Sequence, residues 1–144
     1  VVLNPAPATA IPARLLAALD LITPNETEAE AITGIRIADR RTADEAARRL
    51  AATGAKQVVI TLGAQGALVY EAGQSRIVEG YPVRAVDTTA AGDVFNGALV
   101  VALAEGKPLE EAARFACKAA AISVTHPGAQ GSIPTRAEVE AFDR

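Results

Sequence analysis

The sequence predicts an α/β fold: a mainly parallel sheet flanked by helices, incomplete, with one small hairpin. Three observations predict it. Short apolar, β-rich runs alternate with segments of helical period, the pattern of βαβ units. The run Gln57–Leu62 is almost wholly apolar, as in a strand covered on both faces. Val1-Val2-Leu3 is already β-like, in a sequence with no methionine, so the chain is expected either to be cut from a longer one or to have lost its first residues.

The elements follow in order. Val1–Leu3 reads as a buried strand, ended by Asn4-Pro5-Ala6-Pro7, where two prolines forbid helix and set a rigid loop. Ile11, Leu15, Leu16 and Leu19 fit a short helix, and Leu21-Ile22-Thr23 a second strand closed by Pro24. Asn25 to Thr33 reads as helix with Gly34 at its end. Thr42-Ala43-Asp44-Glu45 has the form of a capping box, opening a helix through Ala46, Leu50 and Ala51 that stops at Gly54. After the strand at 57–62, Gly66–Glu71, Gly73-Gln74 and Arg76–Val78 form the hairpin. Val83, Ala85 and Val86 make one more β-rich run. Phe95, Leu99, Ala102 and Leu103 then mark one face of a helix ending at Gly106, before Pro108. Leu109 to about Thr125 is an Ala-rich helix, His126–Pro134 a loop, and Thr135-Arg136-Ala137-Glu138 the cap of a last short helix with Val139 and Phe142. With no internal repeat or linker, one domain or most of one is expected.

Composition narrows the function classes. Half of the residues are hydrophobic but only 3% aromatic, so Ala, Val, Leu and Ile must build the core. The net charge of −3, with no basic block, argues against nucleic acid as a partner. No run approaches the roughly 18 apolar residues of a membrane helix, so no membrane partner is expected. One cysteine cannot make an internal disulfide, which fits a reducing, cytoplasmic setting.

The rest of the chain is organised around Asp87-Thr88-Thr89-Ala90-Ala91-Gly92-Asp93, continuing through Asn96-Gly97. The flanking patterns place Ala90–Asp93 in the first turn of a helix, at a strand-to-helix junction. The first amides of a helix lack partners within it and form a ready anion site. Ala90, Ala91 and Gly92 are small enough to let an anion approach that backbone. An acid placed only to hold an anion would repel it. Asp93 makes chemical sense if it takes a proton from a nucleophile while the amides hold charge on a transferring group. The competing reading is that Asp93 merely stabilises a helix start, worth about 0.3–1 kcal/mol.

Other motifs carry weaker signals. Asn25 and Glu28 have the spacing of a helix cap reaching back to its own first turn. Thr61-Leu62-Gly63-Ala64-Gln65-Gly66 is a strand leaving into a Gly-containing turn. It lacks the Lys of a Walker loop, so any phosphate falls to helix-start amides. Cys117 lies among small apolar residues and reads as buried packing. His126, the only histidine, has no cysteine or second histidine to make a zinc site. Ser132, His126 and Asp87 could be written as a triad, but nothing around Ser132 resembles a nucleophile elbow.

Asp87-Thr88-Thr89-Ala90-Ala91-Gly92-Asp93 with Asn96-Gly97 resembles the C-terminal signature of the ribokinase-like (PfkB) sugar kinases. Asn4-Pro5-Ala6-Pro7-Ala8 and Thr23-Pro24-Asn25-Glu26-Thr27-Glu28 resemble the same family, in the same order, over nearly the whole chain. The resemblance implies a ribokinase-like fold. It implies that residues 1–144 are the C-terminal nucleotide-binding and catalytic part, with the N-terminal sugar-binding half and lid absent. The implied activity of the complete enzyme is ATP-dependent phosphorylation of a pentose, ribose to ribose 5-phosphate. Asp93 would be the base on the sugar hydroxyl, and Ala90, Ala91 and Gly92 would complete the anion hole. ATP would border Thr61, Leu62, Gly63, Ala64, Gln65 and Gly66, with Gly92, Asp93 and Cys117. Family members often carry a different side chain at this last position. Asn25 and Glu28 would help place Mg²⁺ and phosphate, in keeping with the loose carboxylate coordination of that ion. Asp87, Thr89, Ser123, His126, Gly128 and Ser132 map to a K⁺ site. The competing reading of that set is a loop tied down by hydrogen bonds. The complete enzyme would be a homodimer. The isolated chain would transfer phosphate poorly or not at all, bind nucleotide weakly, and expose one sheet edge, inviting self-association. Two alternatives stand beside this: another sugar or nucleoside kinase of the family, and a non-catalytic nucleotide-binding or scaffolding fragment.

Overall fold

The computed structural model describes residues 1–143. The chain divides into two compact units: Val1–Leu62 with Ala67–Ile77, and Gly63–Gly66 with the chain from Val78 onward.

The first unit holds most of a five-stranded sheet ordered β1-β2-β3-β4-β5. Its strands are β1 (Val2–Leu3), β2 (Leu21–Ile22), β3 (Gln57–Thr61), β4 (Gly66–Glu71) and β5 (Gln74–Glu79). Pairing is parallel from β1 to β3 and antiparallel between β3 and β4, so the expected α/β sheet with a small hairpin is a mixed one. β1 ends the order on one side, and with Val1 and Val2 exposed it is not the buried strand expected, because an edge strand has a neighbour on one side only. Helices α1 (Ala13–Leu16), α2 (Glu26–Thr33) and α3 (Arg40–Ala52) belong to this unit. Ala43, Ala46, Ala47 and Leu50 of α3 are fully buried, in one core with Val58 and Ile60 of β3. Four positions at helical spacing thus supply the stripe that lies against the sheet. A hydrogen-bonded cluster ties the hairpin to α3. Asp44 accepts from Ser75 and from Arg48 Nε at 2.8 Å, and the Arg48 guanidinium lies over the Tyr70 ring.

The second unit is built on α4 (Ala91–Ala104), α5 (Leu109–Ser123) and α6 (Arg136–Ala141). Leu99 and Ala102 of α4, with Ala112, Ala113 and Ala116 of α5, are fully buried. Alanines at these positions let two helices approach closely. Val94, Ala119, Ile122 and Val139 form the core shared with α6, edged by Phe115 and Phe142.

Three further expectations are corrected. The capping box of α3 is Asp39 with Thr42, not Thr42 with Glu45: Asp39 Oδ1 accepts the Thr42 amide at 2.8 Å and Thr42 Oγ1 accepts the Asp39 amide at 3.0 Å. The helix therefore begins earlier, because an aspartate upstream takes the open amides first. The short helix expected over 11–19 is a single turn, Ala13–Leu16. Val83–Val86 is not a strand. The amides of Val86 and Asp87 bond the Val124 carbonyl just past α5, at 2.7 and 3.1 Å, and Val86 is 64% exposed. A β-prone run without a strand neighbour does not become one, so α4 follows a loop and Asp87–Asp93 does not leave a sheet.

Candidate active site

Ala90–Asp93 opens α4 as expected. Ala90 is the N-cap and holds a left-handed conformation, φ 60° and ψ 14°. That costs a non-glycine residue about 1–2 kcal/mol, and such strain collects at functional sites. The Ala91 amide bonds the Thr88 carbonyl at 3.2 Å, and Val94 bonds Ala90 at 2.9 Å. Between them, the amides of Gly92 and Asp93 meet no acceptor among the described residues. Two adjacent open N–H groups at the positive end of a fourteen-residue helix are of the kind that can receive an anion.

Asp93 occupies the third position of this helix. In α2, α3 and α6 the third residue reaches back to the cap: Glu28 to the Asn25 amide, Thr42 to Asp39, Glu138 to Thr135. Asp93 makes no such bond among the described residues, and Ala90 has no polar side chain to supply the other half of a box. Its carboxylate is exposed and faces a cleft of about 510 Å³. The cleft is otherwise mainly apolar, with Val94, Val101, Phe115 and Ile133 among its walls. Arg136, missed in the sequence reading, also lines it, with its guanidinium over Phe115 and paired to Glu105 and Glu140. Nothing in the pattern around Arg136 marks it, since it stands in a capping segment like any other.

Asp87 anchors the turn before α4. Its carboxylate accepts the Thr89 amide and the Gly128 amide, each at 2.9 Å. The Thr89 hydroxyl, then the Gly128 and Thr89 amides, pull its pKa down from 3.8 to about 2. So Asp87, Thr89 and Gly128 are brought together. Ser123 and Ser132 are buried and satisfied locally, donating to Ala120 and Ala129 carbonyls at 2.8 and 2.7 Å. His126 Nδ1 lies 3.1 Å from Thr125 Oγ1 and 3.2 Å from the Ile122 carbonyl. These hydrogen bonds tie the loop down. An oxygen donor set with one carboxylate is of a kind that suits a hard cation. No group of three or more His, Cys, Asp or Glu side chains able to hold a metal occurs among the described residues.

In the first unit, Asn25 and Glu28 form the capping box of α2. Asn25 Oδ1 accepts the Glu28 amide at 2.8 Å, and Glu28 Oε2 accepts the Asn25 amide at 2.9 Å. Asn25 is also bridged to Thr61 at the end of β3, thirty-six positions away, where the Thr61 amide bonds the Pro24 carbonyl at 3.0 Å. These residues, expected to share a ligand, do share a strand end. Leu62 is buried, and Gly63–Gln65 makes a tight helical turn. Cys117 is buried in α5, and burial pushes its thiol up to about 12. It does not line the cleft beside Asp93. No helix among the described residues is long and apolar enough to cross a membrane.

The family model of the pfkB family carbohydrate kinases matches residues 1–136. A ribokinase from Haemophilus influenzae is 56% identical over 142 residues, covering 99% of this chain and 46% of that protein. The structure of Arabidopsis thaliana ribokinase complexed with ribose and ATP superposes with a TM-score of 0.92 at 36% identity, over 99% of this chain and 47% of that one. A fructokinase double mutant from Vibrio cholerae, in its fructose-, ADP- and potassium-bound form, gives 0.79 at 30% identity, over 90% and 42%. The chain thus spans about half the length of the relatives it matches. With a family match across nearly its whole length, the chain belongs to the pfkB family of carbohydrate kinases.

Proposed function

We propose that residues 1–144 are the ATP-binding and catalytic part of an ATP-dependent ribose kinase, whose sugar-binding half and lid lie in the rest of a longer protein. The complete enzyme moves the γ-phosphoryl group of ATP to the primary hydroxyl of ribose. The hydroxyl oxygen forms the new O–P bond, the bond to the β-phosphate oxygen breaks, and ADP leaves. Asp93 accepts the hydroxyl proton as that oxygen attacks. The amides of the Ala90–Asp93 turn, with Ala91 and Gly92 giving close access, hold the charge on the transferring group. The nucleotide runs along Thr61–Gly66, with its adenine toward Cys117. Asn25 and Glu28 would hold Mg²⁺, which supplies neutralising charge to the β- and γ-oxygens when bound. Glu28 can do so only by sharing the carboxylate that now serves its cap. Asp87, with oxygens from Thr89, Ser123, His126, Gly128 and Ser132, would hold K⁺, which supplies positive charge that steadies the loop beside the anion cradle. Assignment to the cytoplasm is in keeping with the single buried thiol. A homodimer is expected of the complete enzyme, and light scattering on it measures this.

One observation carries the proposal: an uncapped helix start with two open amides and, at its third position, a carboxylate engaged in no cap. Glu28 and Glu138, at the same position of their helices, instead spend their carboxylates on the cap. The 56% identity to a ribokinase supports ribose as the sugar. The fructokinase likeness, at 30%, supports a hexose less well.

The test is Asp93→Asn in the complete enzyme. Turnover should fall by about 10²–10⁴-fold, the range of a general base, while ATP binding measured by calorimetry is unchanged. Undiminished turnover would leave a scaffolding role for this part.

A further inference from the structure

Gly80 lies outside every segment discussed so far. It belongs with Gly63–Gly66 to the second unit, where the backbone just after β5 crosses the turn that starts β4. The crossing is too close for side chains. A Cβ on Gly80 would stand 2.1 Å from the Ala64 carbonyl oxygen, 2.9 Å from the Gly66 nitrogen and 3.0 Å from the Ala64 carbonyl carbon. A Cβ on Gly66 would stand 2.0 Å from the Val78 carbonyl oxygen and 2.5 Å from the Gly80 nitrogen. Every one of those atoms is backbone, so no rotamer change relieves the clash. The Gly80 amide then closes the crossing by donating to the Gln65 carbonyl at 3.1 Å.

The two glycines differ in one useful respect. Gly66 also needs its glycine for conformation, at φ +103°, whereas Gly80 lies outside the left-handed region. At Gly80 only contact forbids a side chain.

We infer that Gly80 is a positioning residue for the nucleotide: by lacking a side chain and bonding Gln65, it sets where the Gly63–Gly66 turn stands. This rests on the proposed role of Thr61–Gly66 in binding ATP. A methyl group at position 80 must push the Ala64–Gly66 backbone outward. Displacing a ligand-bearing turn by about 1 Å is enough to cost up to about 10²-fold.

The experiment compares Gly80→Ala with Gly73→Ala in the complete enzyme. Gly73 occupies the far turn of the same hairpin at φ +79°, with nothing within 4 Å of a Cβ, so its substitution strains the hairpin without touching the crossing. For Gly80→Ala, KM for ATP should rise about tenfold while KM for the sugar stays within about twofold. Gly73→Ala should lower the melting temperature with neither KM changed. An unchanged KM for ATP in a folded Gly80→Ala enzyme overturns the inference. So does a parallel rise for ATP and sugar, or an equal rise in Gly73→Ala.

Should Gly80→Ala not fold, hydrogen exchange in the unsubstituted enzyme decides. ADP should slow exchange of the Gly80 amide together with the amides of 63–66. Protection of 63–66 with Gly80 unaffected overturns this inference alone. No protection anywhere in 61–66 overturns the nucleotide assignment itself, and this inference with it.

Discussion

One oxygen of the Asp87 carboxylate accepts the Gly128 amide at 2.9 Å, joining positions forty-one residues apart. The turn before α4 and the loop after α5 are thereby held by a single ionised group. Its pKa is drawn from 3.8 to about 2 by the Thr89 hydroxyl, the Gly128 amide and the Thr89 amide. Folding favours the charged form, so the stabilisation is complete above about pH 4. It is lost as pH falls toward about 2, where the folded chain takes up the proton. Urea midpoints measured between pH 5 and pH 2.5 should fall less steeply in Asp87→Asn than in the unsubstituted protein. Parallel curves for the two would show that this bond does not couple to folding.

Glu28 holds the start of α2 and is assigned to Mg²⁺, and the two duties can be separated. Gln keeps an oxygen for the Asn25 amide, as in any box with Gln at its third position, but carries no charge. Glu28→Gln should therefore change unfolding free energy by less than about 0.5 kcal/mol, the scale of a neutral surface change. The Mg²⁺ concentration needed for half-maximal activity of the complete enzyme should rise several-fold. An unaltered Mg²⁺ titration would leave Glu28 as a cap only.

Leu50 is fully buried where α3 meets the sheet core. Leu50→Ala should cost about 2–5 kcal/mol, as lost burial plus the cavity left behind. Chemical denaturation of the complete enzyme reads this directly. A loss under about 1 kcal/mol would mean that the neighbours collapse into the gap.

Cys117 should be inert in the native protein. Burial raises its thiol to about 12, so almost no thiolate exists at pH 8. A chromogenic disulfide reagent should label it only on unfolding, with the rate following denaturant. Fast labelling of the native protein would place the sulfur at the surface.

The corrected segments explain where the sequence was legible. Signals that act within a few residues were readable: the Asn25–Glu28 and Thr135–Glu138 boxes, Gly34 as a left-handed stop, and the Ala90–Asp93 helix start all stand as expected. Val83–Val86 misled because β propensity describes a fit to neighbouring strands, and among the described residues no strand lies there to pair with. Thr42 was read as a cap when it is the third residue of Asp39's box. A Thr can serve at either place, and only the geometry tells which.

By itself, then, the sequence determined the family, the helix that starts at Ala90, and the acid three positions into it, since these depend on short-range pattern and chemistry. Tertiary structure decided which acids are occupied. Asp87 spends both oxygens on amides, one of them far along the chain, and Glu28 closes a cap, while Asp93 faces a cleft with its carboxylate uncommitted. It alone also disclosed the Gly66–Gly80 crossing, because a contact between distant backbones leaves no trace in local pattern beyond two ordinary glycines.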